Sequence, residues 1–220
     1  SALPSPPQRR PTRRGKGRES EIRLVSVGRA VPKKGFDVLL RSLASLPPGL
    51  HWHWTHIGGG TDLKHLRKQA TDLGIGERIT WMGARAQADV FDAYRAADLF
   101  ILPSKIAGDG DRDGLPNVLM EAASQGLCCL ASNVAGVAEL LRHEETGWLV
   151  PSDDVEALAQ AILTLADDPE RRLALGMAGL ERVTKSFDHL TGLSVICRHL
   201  GLSPTGASAR EGGVALDAAQ

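Results

Sequence analysis

The sequence predicts an α/β fold: a Rossmann-like, doubly wound, mostly parallel sheet of about six strands with helices on both faces. Two observations carry that expectation. Short strand-like runs alternate with apolar-periodic helical segments along most of the chain, the order that builds β-α-β crossovers. Two of the runs, Asp98–Ser104 and Leu127–Ser132, read as strands buried on both faces, as parallel strands covered by helices are. At 220 residues, 42% hydrophobic and 24% charged, the chain can bury one sizeable core.

Composition also excludes some classes. The net charge is zero, which argues against a whole surface built for nucleic acid. Cys128, Cys129 and Cys197 form no disulfide framework, and an adjacent pair in an apolar run reads as buried and reduced. No run reaches the roughly eighteen apolar residues of a membrane span, and the start has no apolar leader segment. The expected location is cytoplasmic, with peripheral contact at the inner membrane face.

Residues 1–20 combine Pro4, Pro6, Pro7 and Pro11 with Arg9, Arg10, Arg13, Arg14, Lys16 and Arg18. Burial cannot offset the entropy of ordering such a segment, so it reads as a disordered basic arm or linker. Its functional reading is attraction to acidic lipid headgroups or nucleic acid; the plainer one is an interdomain linker. Residues 21–200 form the expected domain, and residues 201–220 a flexible tail.

Ile22–Val27 is a short strand ending at Gly28-Arg29. Lys33-Lys34-Gly35-Phe36 then leads into a helix through Leu39, Leu40 and Leu43. A strand, a basic turn and a helix start make an anion site in outline, because the first helical N–H groups lack partners and the dipole is positive there. His51–Ile57 alternates and meets Gly58-Gly59-Gly60. The alternation puts His51 and His53 on one face, but without an acid or cysteine cluster they read as packing or surface residues rather than zinc ligands. The glycines read as backbone room for a close ligand or for a tight strand-to-helix bend. A helix through Leu63, Leu66 and Ala70 follows, then a strand Ile79–Gly83, then a helix whose apolar side carries Val90, Phe91, Tyr94 and Ala97.

The centre of the chain is Asp113-Gly114-Leu115-Pro116-Asn117-Val118-Leu119-Met120-Glu121-Ala122. Pro116 marks a helix start, where a missing N–H costs little, and the loop before it becomes a natural seat for phosphate. Glu121 lies about six residues on, roughly 9 Å along the axis, within reach of a sugar hydroxyl on the same ligand. Asp109, Asp111, Asp113 and Gly114 also occupy four positions of a calcium-binding EF-hand loop. Met120 replaces its bidentate Glu, and a strand rather than a helix precedes it, so no calcium is expected. Farther on, Asp154 or its neighbour caps a helix through Leu158, Ile162 and Leu165. Another helix runs from about Pro169 to Lys185, and a last apolar stretch reaches Leu200.

Five ordered motifs between Ile22 and Phe187 together resemble the retaining glycosyltransferases of group 1, also called family 4. Asp113 and Glu121, with seven residues between them, are similar to its E-x7-E signature, Asp113 standing for the usual Glu. Gly28-Arg29 with Lys34-Gly35, and the run Gly58–Gly60, match its two early turns. Gly136-Val137-Ala138-Glu139 resembles its Gly-x-Pro-Glu with Ala138 for Pro, and Gly147-Trp148-Leu149-Val150-Pro151 with Asp153 or Asp154 matches a later motif.

The resemblance implies the second, donor-binding half of a two-domain GT-B fold, whose first half supplies the acceptor pocket from a longer or separate chain. It implies transfer of a sugar with retention from a UDP- or GDP-type donor, without metal or cofactor. The extended acidic loop points to the exopolysaccharide-type members. Residue by residue, Arg29 and Lys34 would hold the diphosphate and Glu121 the ribose, while Asp113 would face the donor sugar or pyrophosphate; these four form the expected catalytic set. Gly28, Gly114, Leu115, Pro116, Asn117 and Val118 would bind the donor, and Gly83, Ala84 and Arg85 would line the base. The rivals are a nucleotide-binding module without transfer and a nucleic-acid or membrane adaptor acting through the basic arm.

Overall fold

A computed structural model describes residues 20–105, 117–134 and 136–187. The chain alternates strictly at first: β1 (Ile22–Val27), α1 (Phe36–Ala44), β2 (Trp52–Ile57), α2 (Leu63–Asp72), β3 (Ile79–Gly83), α3 (Gln87–Ala96), β4 (Leu99–Leu102), α4 (Asn117–Ser124) and β5 (Cys129–Ser132). A single turn, α5 (Val137–Leu140), leads to β6 (Trp148–Val150), and α6 (Val155–Asp167) and α7 (Pro169–Phe187) close the described chain. The six strands form one sheet in the order β3-β2-β1-β4-β5-β6, and every pairing is parallel. The expected doubly wound α/β sheet is therefore what the chain forms.

Alternation along the strands divides the interior into two cores. Leu24, Leu99, Ile101 and Leu130 face one way, where they pack with Phe36 and Leu40 of α1, Leu66 of α2 and Leu158, Ile162 and Leu165 of α6. Val25, Phe100, Leu102 and Ala131 face the other way, against Tyr94 of α3, Leu119 and Ala122 of α4 and Leu140 of α5. All four residues of β4 are fully buried, which is why that segment reads as continuously apolar.

The sheet runs outward from β1 through β2 to β3 and then restarts on the other side at β4. Strand order thus reverses between β1 and β4, and in such sheets ligands bind in the crevice beyond the carboxyl ends of the strands at that point. Both ends of this junction are tied. At the amino end, Asp98 accepts from the Arg23 backbone N–H at 2.9 Å and from its guanidinium at 3.2 and 3.3 Å. Toward the carboxyl end, the buried Ser26 hydroxyl donates to the Ile101 carbonyl at 2.7 Å and accepts from the Trp54 indole N–H at 3.0 Å.

β4 is shorter than the strand read over Asp98–Ser104, because the Asp98 side chain is engaged with Arg23 and Pro103 has no N–H to give. Asp154 does cap α6, accepting from the Ala157 N–H at 2.8 Å. Apart from Ser20, the expected arm over residues 1–20 lies outside the described residues, as do the apolar stretch to Leu200 and the expected tail over 201–220. Among the described residues, no helix is long and apolar enough to cross a membrane.

Candidate functional site

The first corner of the crevice is the turn from β1 into α1. Pro32–Lys34 make a tight helical turn, closed by the Lys34 N–H on the Val31 carbonyl at 3.0 Å and the Gly35 N–H on the Pro32 carbonyl at 3.1 Å. Gly35 then takes a left-handed conformation, φ 64°, and starts α1. The geometry folds the Lys34 side chain back over the end of β1: its Cε lies 3.7 Å from where a Cβ on Gly28 would stand. Arg29, at the same strand end, is exposed. Gly28, Arg29 and Lys34 are thus brought together.

The second corner, where the chain leaves β4, is locked onto the first. The Lys105 N–H donates to the Lys33 carbonyl at 2.9 Å, and its ammonium contacts both oxygens of Asp37, in the first turn of α1, at 3.0 Å. A Cβ on Gly35 would lie 1.9 Å from the Pro103 carbonyl oxygen, so the two corners touch backbone to backbone. α4 begins at Asn117, exposed, with Val118 half-buried behind it. Asp113, Gly114, Leu115 and Pro116 lie outside the described residues, and so does the acidic loop that mimics an EF-hand.

The glycine run after β2 serves the same junction. The Ala30 N–H donates to the Gly59 carbonyl at 2.7 Å, and the Gly58 N–H to the Gly83 carbonyl at 2.9 Å. A Cβ on Gly58 would stand 2.0 Å from the Gly28 carbonyl oxygen. The close neighbour for which Gly58 leaves room is therefore the chain's own β1 corner. Gly83 is held at this end of the sheet, whereas Arg85 is exposed and lines a groove of about 630 Å3 between α3 and the first strands, with Arg23, His53, Met82 and Asp89. His53 is held by Thr80, Nε2 to Oγ1 at 2.8 Å, and His51 lies exposed before β2 begins.

Glu121 projects from α4 toward α3. Its Oε2 accepts from the Tyr94 hydroxyl at 3.3 Å, and that hydroxyl also lies 3.3 Å from the Val118 carbonyl. Tyr94 is completely buried. Burial first, then the Glu121 charge and hydrogen bond, raise the phenol's pKa far above its usual value, so it donates and does not ionise.

His56 is a second buried polar group at the junction. Its ring packs edge-on against Phe36 at 4.6 Å and lies 5.8 Å from Trp54 and 5.4 Å from Trp81. Burial lowers its pKa to about 4, the nearby Gly28 backbone opposes the shift and the charge of Arg67 adds to it, while neither ring nitrogen has a well-formed hydrogen-bond partner among the described residues. It is neutral at pH 7 and packs beneath the Gly28 corner. Sequence reading missed both roles: Tyr94 appeared only as part of an apolar helix side, and His56 as one more residue of an alternating strand. A hydroxyl on a face that is otherwise apolar was the available signal for Tyr94.

Comparisons with known proteins bear on this arrangement. A relative from Mycobacterium tuberculosis, named GDP-mannose-dependent alpha-(1-6)-phosphatidylinositol monomannoside mannosyltransferase, is 34% identical over 166 residues, which are 74% of this chain and 43% of that protein. The amylovoran biosynthesis glycosyltransferase AmsK of Erwinia amylovora is 32% identical over 168 residues, covering 76% of this chain and 41% of that one. Anabaena HepE, solved in complex with UDP and glucose, superposes with a TM-score of 0.71 at 25% identity over 84% of this chain and 49% of that chain. The chain thus spans about two fifths of the length of these two enzymes and half of the solved structure. The family model described as glycosyl transferases group 1 matches residues 8–182, and on that match the chain belongs to the group 1 glycosyltransferases.

Proposed function

We propose that this chain is the donor-binding half of a retaining, metal-independent glycosyltransferase that moves a sugar from a nucleotide-diphosphate sugar to an acceptor, in polysaccharide or glycolipid synthesis. One observation carries the reading: the basic corner after β1 and the exit from β4 toward α4 are clamped together, Lys105 N–H to Lys33 carbonyl at 2.9 Å, at the point where strand order reverses. Cations from the first corner and helix-start amides of α4 would then address the same crevice.

Arg29 and Lys34 would hold the diphosphate, Arg as a two-pronged donor and Lys as a point charge. As the bond between the sugar's anomeric carbon and the phosphate oxygen breaks, negative charge grows on the diphosphate, and fixed cations stabilise that charge more than the ground state. The new bond forms from the acceptor hydroxyl oxygen to the anomeric carbon. The hydroxyl's proton passes to the departing phosphate, so no protein nucleophile of the glycosidase kind is assigned. Glu121 would take the ribose hydroxyls, and Asp113 would face the donor sugar or the pyrophosphate. The location would be cytoplasmic, peripheral at the inner membrane face.

Calorimetric titration with UDP, GDP and their sugars tests this. One nucleotide diphosphate should bind, and Arg29→Ala or Lys34→Ala should each weaken it about ten-fold or more, the scale of a hydrogen bond to a charged group. Absence of binding to any of them, or binding indifferent to both substitutions, would discard the reading. A second reading is nucleotide binding without transfer by this chain alone. Donor hydrolysis or transfer, assayed with and without a candidate acceptor half, separates the two.

A further inference from the structure

We propose that Tyr94 is a positioning residue for Glu121, and that its phenol sets a preference for ribonucleotides over nucleotides lacking the ribose hydroxyls. The inference rests on the reading that Glu121 takes the ribose. Glu121 is half-buried on α4, and a glutamate left to itself spreads over several rotamers. Here one oxygen, Oε2, lies 3.3 Å from the Tyr94 hydroxyl. A carboxylate offers about four acceptor positions, and the phenol takes one of those on Oε2.

The anchor is itself fixed. Tyr94 is 0% exposed, and its ring meets Phe91 edge-on at 5.9 Å and Phe100 at 5.7 Å. Phe100 belongs to β4, the strand at which the sheet order restarts. A rigid path therefore runs from the switch-point strand through one aromatic ring to the carboxylate. The same hydroxyl lies 3.3 Å from the Val118 carbonyl in the first turn of α4. It thereby relates the carboxylate to the helix start that would receive phosphate. Removing the hydroxyl keeps the ring and deletes its contacts with the Glu121 carboxylate and the Val118 carbonyl.

The test uses the full chain with UDP, GDP and their 2′,3′-dideoxy counterparts in calorimetric titrations. Wild-type protein should prefer the ribonucleotide it binds by about ten-fold. Tyr94→Phe should lower affinity for that ribonucleotide about five-fold or more while changing the dideoxy affinity less than about two-fold, and should have no further effect in a Glu121→Gln background. Loss of both affinities in equal measure, or an unchanged preference, would show that the phenol is merely structural. A wild-type preference near unity, or no binding at all, would instead remove the ribose role of Glu121 and with it the premise.

Tyr94 is also the only tyrosine in the sequence, so 3-fluorotyrosine labelling gives one fluorine resonance without any substitution. That resonance should move on ribonucleotide binding and stay put with the dideoxy form. The same response to both nucleotides, or to neither, would overturn the proposal.

Discussion

The contact between the two corners makes a sharp prediction at Gly35. An alanine there would keep φ near 64°, a left-handed conformation that costs an L-residue about 1–2 kcal/mol. Its Cβ would also stand 1.9 Å from the Pro103 carbonyl oxygen, so one backbone must retreat by more than about 1 Å to reach ordinary contact. Neither is free to do so: Pro103 follows a fully buried strand, and Lys105 is hydrogen-bonded to Lys33 on the other side. Forcing a methyl group into packed surroundings typically adds about 1–3 kcal/mol.

Gly74 supplies the control. Its φ is 71°, and nothing lies within 4 Å of its would-be Cβ, so Gly74→Ala should cost only the conformational part. At roughly 2–4 °C per kcal/mol for a domain of this size, Gly35→Ala should lower Tm by about 10 °C and Gly74→Ala by about 4 °C. Thermal unfolding followed by circular dichroism reads the first effect. Titration with UDP and GDP reads the second: Gly35→Ala should weaken nucleotide binding, whereas Gly74→Ala should not. Equal stability losses for the two variants, or full nucleotide affinity in Gly35→Ala, would refute the view that corner contact assembles the site.

Other consequences are simpler. The folded state holds His56 neutral down to about pH 4 while the unfolded chain takes up the proton near pH 6.5. Stability present above pH 6.5 is therefore lost as pH falls toward 4, by about 3 kcal/mol at the limit. His56→Phe should remove that component, so the wild-type and variant stability curves should converge or cross between pH 6.5 and 4; parallel curves would contradict the burial argument. Ser26→Ala deletes the hydroxyl between the Ile101 carbonyl and the Trp54 indole and should cost about 1–3 kcal/mol by leaving both buried groups without that partner, measurable by urea unfolding. A loss below about 0.5 kcal/mol would show that this bridge does not hold β1 to β4.

Much of the secondary structure was legible because its signals are local. Ile22–Val27 and Ile79–Gly83 are strands with the bounds read from their composition, and Asp154 caps its helix as its side chain and place before an apolar-periodic run predict. The basic turn before α1 was equally readable, since Lys33, Lys34 and Gly35 lie consecutively and their geometry is set by neighbours in the chain. The glycine run after β2 was recognised as a place of close approach, but not as one where β1 approaches.

What the residues determine by themselves here is the alternation of elements, the parallel two-faced sheet it requires, and a set of candidate anion-binding and acidic side chains. Tertiary structure alone decided the order β3-β2-β1-β4-β5-β6, and hence that the first and fourth strand ends share a crevice. It also decided that Tyr94 reaches Glu121 across 27 positions and that His56 packs under Gly28. The physical reason is range: propensity, capping and periodicity act over a few residues, whereas strand order and buried polar pairing depend on which distant surfaces can close against one another without leaving backbone groups unpaired.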